Sequence, residues 1–125
     1  MSTIPINALV PAGSSLPILA RVDGGNTPVT QATVSSISYT VTDRATGQVL
    51  DSGTLTVAAT IWNQLQQGSG WIETTPGVDG LVGWNFLWTV PGADLPLPGM
   101  VIDCRASVVM TNGAIVEVWA AARTT

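Results

Sequence analysis

The side chains able to carry chemistry are eight carboxylates, four guanidinium groups, one thiol and five indoles; there is no lysine and no histidine. The usual general base, the Schiff-base amine and the imidazole metal ligand are therefore missing. What remains is carboxylate chemistry, in which two acids flanking a sugar hydrolyse a glycosidic bond. The acids are Asp23, Asp43, Asp51, Asp79, Asp94, Asp103, Glu73 and Glu117. Their neighbours place them mainly in turns or at outward strand positions, where a carboxylate serves turn geometry and solubility. No enzyme is expected, and no catalytic residue is assigned.

Cys104 has no histidine to activate it and lies in an alternating apolar run, so it reads as a packed, inert thiol with no partner for an internal disulfide. Calcium is the metal that oxygen-only ligands suit, with Asp79, or Asp23 beside Gly24, Gly25 and Asn26, as contributors. No run sets several acids at alternate positions, so no metal ligand is assigned. A glycine-rich phosphate loop and a metal-spaced cysteine cluster are also lacking, and no cofactor is expected. Among the tryptophans, Trp62 and Trp71 fit a second packing layer under a crossing at 58–73, although exposed indoles also suit sugar sites and protein interfaces. Trp119, outward beside Glu117 on the last strand, is the better interface candidate.

Composition narrows the partners. Hydrophobic residues make up 46% of the chain and charged residues 10%, so Ser, Thr, Asn, Gln and Gly must dominate the surface. Such a surface favours neutral contacts over electrostatic steering, and a weakly charged monomer gains colloidal stability by burying surface in an assembly. The net charge of −4 and the scattered positions of Arg21, Arg44, Arg105 and Arg123 argue against nucleic acid and against a membrane surface. No apolar run approaches membrane-spanning length, and the first residues lack the basic and apolar regions of a signal peptide. Synthesis in a cytoplasm without secretion by that route is the expectation.

The elements that must position these groups are strands. Residues 81–99 form the organising stretch: Val82, Trp84, Phe86, Trp88 and Val90 share one face at period two, with Leu81, Gly83, Asn85, Leu87 and Thr89 on the other. Pro91, Pro96 and Pro98 then carry the chain round a corner. Upstream, residues 16–23 alternate, and 34–43 set Ile37, Tyr39 and Val41 against Ser36, Ser38, Thr40 and Thr42. The loop 43–48 is a hairpin, with Gly47 available for positive φ and 49–57 returning. Residues 58–67 fit a short helix or an irregular strand equally well, and 71–73 a brief strand. Residues 100–110 alternate Ile102, Cys104, Ala106 and Val108 against Asp103, Arg105 and Ser107. Asn112-Gly113 is a strong hairpin signal, and 114–120 return with Val116 and Val118 inward.

About seven strands, no long amphipathic helix and no repeat predict an all-β, immunoglobulin-like antiparallel β-sandwich with Greek-key-type connections. One domain spans 16–125, preceded by an extended arm over 1–15 whose Ile4, Ile6 and Leu9, with Trp119, are the candidate interface residues.

The polar-faced strand and hairpin SSISYTVTDRATGQVLDSGTL, the corner GWNFLWTVPGADLPLPG and the final MTNGA hairpin resemble the small immunoglobulin-like modules of tailed-bacteriophage virions, which include tail, baseplate and head-decoration proteins. The likeness runs from Leu16 to Trp119. It departs from the usual immunoglobulin-like pattern at Ile102, where a corner tyrosine often stands, and in lacking a cysteine pair across the sheets. The resemblance implies a structural virion subunit whose partners are copies of itself and other particle proteins. A carbohydrate- or surface-binding adhesion module is the alternative.

Overall fold

The computed structural model of the protein describes residues 6–24, 27–66 and 83–125. Its strands, in chain order, are β1 (Ile6–Val10), β2 (Leu16–Ala20), β3 (Asp23–Gly24), β4 (Thr27–Pro28), β5 (Val34–Asp43), β6 (Val49–Leu55), β7 (Ile61–Gln66), β8 (Trp84–Val90), β9 (Val101–Met110) and β10 (Ile115–Thr124). One helical turn, α1 (Val57–Thr60), precedes β7, and 3-10 turns occupy Gln31–Thr33 and Gly92–Asp94. The stretch that suited helix or strand equally well is thus both: a turn of helix, then a strand. Ile4, Trp71, Glu73, Asp79, Leu81, Val82 and the expected strand at 71–73 lie outside the described residues.

The fold is an all-β sandwich. Its larger sheet has five strands in the order β1-β10-β9-β5-β6, its smaller one three in the order β2-β8-β7, and β3 and β4 form a separate small hairpin. The core lies between the two sheets. Ile18, Phe86, Trp88 and Val90 enter it from the smaller sheet, and Ile37, Val41, Ile102, Cys104, Ala106, Val108, Val118 and Ala120 from the larger. Period-two alternation in β5, β9 and β10 is what puts these residues on one face. Local chemistry sets the hairpins. Asp43 accepts a bond from the Ala45 N–H at 3.0 Å, and Gly47 takes φ 75° at the β5–β6 turn. Asn112 does the same for Ala114 at 3.0 Å, beside Gly113 at φ 90°.

Two findings correct the sequence reading and a third adds to it. First, residues 6–10 are not a detached arm: β1 pairs in parallel with β10, from Ile6 opposite Ala120 to Val10 opposite Thr124, and Val10 is in the core. The sandwich is therefore antiparallel except at this edge. Second, Trp84 is only half-buried and meets Trp62 edge-on at 5.5 Å, so the inward face of β8 is built from Phe86, Trp88 and Val90. Third, Asn85, which alternation sets on the face of β8 away from Phe86 and Trp88, is fully buried. Its Oδ1 accepts the Val22 N–H at 2.7 Å and its Nδ2 donates to the carbonyls of Val22 at 2.9 Å and Val29 at 3.3 Å. A buried amide is tolerated because it satisfies main-chain groups that would otherwise be orphaned where the chain leaves β2.

Candidate interface and charged clusters

β1 carries no charge, and among the described residues no strand pairs with its second side, an open edge of the described sheet. The Val10 carbonyl accepts from the Thr125 N–H at 3.0 Å, so it is turned inward along the sheet. Main-chain groups alternate sides along a strand, which turns those of Asn7 and Leu9 toward the open edge. Natural edge strands are normally blunted by charge, bulges or proline; within residues 6–10 none of these is present. Leu9 is 75% exposed, and Ile6 is exposed at the sheet margin.

Leu9 and Trp119 lie on the same outer face of the larger sheet, because Leu9 is opposite Arg123 and outward residues of β10 recur at period two. Ile6, on the same face as Val10, belongs to the other side. The structure therefore brings Leu9 and Trp119 to one surface and leaves Ile6 at its rim. Ile115, 66% exposed, is a further apolar residue at the far end of that outer face. Beside them, across β9, β5 and β6, runs a hydroxyl field: Ser38 is in register with Ser107 and Thr54, and Thr40 with Arg105 and Ser52.

Trp119 is half-buried in a charged network. Its Nε1 donates to Asp103 at 2.9 Å, and the Arg105 guanidinium lies 4.1 Å from its ring centroid while bonding Glu117 at 2.9 Å. Arg44 grips Asp103 with two bonds, from Nε at 3.0 Å and Nη2 at 2.6 Å. The Arg44 bonds hold the Asp103 carboxyl below the usual carboxylate range; burial opposes them, and Trp119 and the charge of Arg105 assist. Sequence spacing pointed to an outward Trp119 but gave no sign of this network, since Arg44 and Asp103 are 59 residues apart.

Two acids expected at turn or outward positions instead meet on the inner side. Asp51, on the inward alternation of β6 opposite Val41, lies within hydrogen-bonding reach of Asp94 in the turn after β8. The Tyr39 hydroxyl donates to Asp51 Oδ1 at 3.3 Å, and the Tyr39 ring packs 5.3 Å from that of Trp88. Burial, then the hydrogen bond and charge of Asp51, push the Asp94 carboxyl up to about 6. Burial, with the charges of Asp51 and Asp94, also raises the Tyr39 phenol.

Cys104 is buried, and burial, followed by the charges of Asp103 and Asp94, pushes its thiol up to about 12. Asp23 bonds Arg21 at 3.1 Å. Among the described residues no three metal-ligating side chains converge, and no helix is long and apolar enough to cross a membrane. No family model, curated protein or solved structure matches the chain.

Proposed function

We propose that this protein is a structural subunit of a tailed-bacteriophage virion, a tail or baseplate accessory or a head-decoration protein, which works through contacts with copies of itself and other particle proteins. The observation that carries the reading is the unguarded edge of β1, an uncharged strand that leaves main-chain groups of Asn7 and Leu9 unpaired within the described sheet. Strand addition at such an edge gives affinity through main-chain bonds without needing charge, which suits a chain with so few charged residues. The strand order supports the resemblance. β10, β9, β5 and β6 in one sheet and β2, β8 and β7 in the other follow the G-F-C-C′ and B-E-D order of immunoglobulin-like sandwiches. Arg21, Arg44 and Arg105 are each engaged with a carboxylate, which disfavours a phosphate-binding role.

The test is Leu9→Lys, which places a charge on the outer face at the edge while leaving the β10 ladder intact. Light scattering at roughly 100 µM, in the weak-association range, and electron microscopy should show wild-type oligomers or ordered assemblies and a folded, monomeric variant. Immunogold labelling of purified phage particles should locate the protein. A wild-type monomer at that concentration, with particles free of label, would sink the proposal.

A carbohydrate-binding module is the second reading, because Trp62 is 40% exposed and stands against Trp84. Saturable sugar binding lost in Trp62→Ala would favour it.

A further inference from the structure

We infer that β1 pairs with itself: a second copy of this chain lays its own β1 antiparallel along Asn7 and Leu9, about a twofold axis at Ala8, and joins the two larger sheets into one. The inference rests on the proposed function, because it names the occupant of the same edge.

The edge is preformed. Its pairing with β10 runs from Ile6 opposite Ala120 to Val10 opposite Thr124. At the end of the strand the Thr125 N–H donates to the Val10 carbonyl at 3.0 Å, and the Ala12 N–H donates to the Thr125 carbonyl at 3.1 Å. Val10 is in the core and Ala8 packs against it. Ile6, Ala8 and Val10 therefore direct their main-chain groups to β10, while Asn7 and Leu9 present theirs to the open side of the described sheet. A strand held in this way accepts a neighbour with little further ordering.

Strand length fixes the register. In an antiparallel ladder, hydrogen-bonded pairs that exchange both main-chain bonds alternate with pairs that exchange none. With Ala8 opposite Ala8 of the second copy, Asn7 exchanges both bonds with Leu9 of the second copy, and Leu9 with Asn7. No other twofold register pairs both residues inside Ile6–Val10. A slip in one direction brings in Pro11, which has no N–H and whose carbonyl is taken by the Ser14 N–H at 3.0 Å. A slip in the other brings in Pro5, which also has no N–H. The diagonal of the pair sets Leu9 beside Leu9 within reach of long side chains, and so covers a residue that is 75% exposed in the single chain.

Charge and edge shape select a second copy over a head-to-tail contact. A twofold interface must be complementary to itself, and β1 carries no charge, so its meeting with itself opposes no like charges. The nearest charge, Arg123 on β10 opposite Leu9, is kept from its counterpart by both β1 strands, about 14 Å of sheet, which salt screens. β6, the other edge of the same sheet, is the guarded one. It carries Asp51, and its ladder with β5 shifts register between Val41 and Thr42. Growth through β6 is therefore opposed, and sheet extension stops at the pair.

Cysteine cross-linking and amide exchange test the pair. In Ala8→Cys the two Cα atoms would lie about 4.5 Å apart, within disulfide geometry. In Asn7→Cys or Leu9→Cys they would lie on a diagonal of about 7–8 Å, outside it. Mild oxidation should link Ala8→Cys into dimers roughly tenfold faster than either neighbour, with the buried Cys104 silent. In wild type, exchange of the Asn7 and Leu9 amides should slow about fivefold between ~10 µM and ~1 mM, the range of a small contact, while Ala8 and Val10 stay protected at both. Leu9→Pro, which removes only an edge donor, should fold and remain monomeric. Faster linkage through position 7 or 9, or exchange of Asn7 and Leu9 that ignores concentration, would overturn the pair. If a variant fails to fold, the wild-type exchange still decides. Labelled phage particles together with concentration-independent exchange would sink the pair and leave the virion reading standing; concentration-dependent protection with unlabelled particles would do the reverse.

Discussion

Asp103 and Asp94 are both half-buried aspartates of one sandwich, yet their carboxyls are driven in opposite directions. Removal from water raises both, because it penalises the charged form. On the outer face, Arg44 and Trp119 supply donors that favour the anion and overcome burial. On the inner side, Asp51 offers only another acceptor, so neighbour and burial act together. The sign of the partner, and not the depth of the site, decides the outcome.

Asn85 is the uncharged reference for this comparison, and removing it has the largest expected effect. Asn85→Leu leaves the Val22 N–H without its 2.7 Å acceptor in the core. Urea unfolding should show a loss of about 2–4 kcal/mol, independent of pH. A loss below about 1 kcal/mol would mean that the freed groups find other partners.

Next is Asp103→Ala, which strips two bonds from Arg44 and one from the Trp119 indole. At neutral pH the cost should be about 1–2 kcal/mol, because charge-assisted bonds to a half-buried acid are worth more than an exposed ion pair. Since the folded Asp103 value is depressed, its contribution is present above the unfolded value and is lost as pH falls through the folded one. The penalty of the substitution should therefore shrink in strong acid.

The two aspartates together set the shape of the wild-type pH profile, the subtlest of these effects. Stability rises from strong acid as Asp103 ionises and declines as Asp94 ionises near 6. A maximum at roughly pH 4–5 follows, read from denaturant midpoints across the range. A maximum at pH 7 or above would show that the inner pair contributes nothing.

What the sequence disclosed was local. Alternation located the inward residues of β5, β9 and β10, and Asp43, Gly47, Asn112 and Gly113 marked both hairpins, because strand faces and tight turns are decided by a few neighbouring residues. The rest depended on which strands meet. Nothing in INALV says that it pairs in parallel with a strand more than a hundred residues later. Asp51 looked like a turn acid until the turn after β8 met it across the sandwich. Alternation set Asn85 on the face away from Phe86 and Trp88, but its partners, the main chain at Val22 and Val29, come from another part of the chain. Of the interface candidates, Trp119 was found as an outward residue, but its partners were invisible at 16 residues' separation from Asp103.

Burial of the lone thiol has a practical consequence. Cys104 lies in the core with its proton held well into the alkaline range, so an alkylating reagent in neutral buffer reacts only with molecules that have opened. The chain thus carries its own clock for breathing motions. The pace of modification reports how often the core around Cys104 opens, in a sample too dilute to assemble, with no dye or label engineered in.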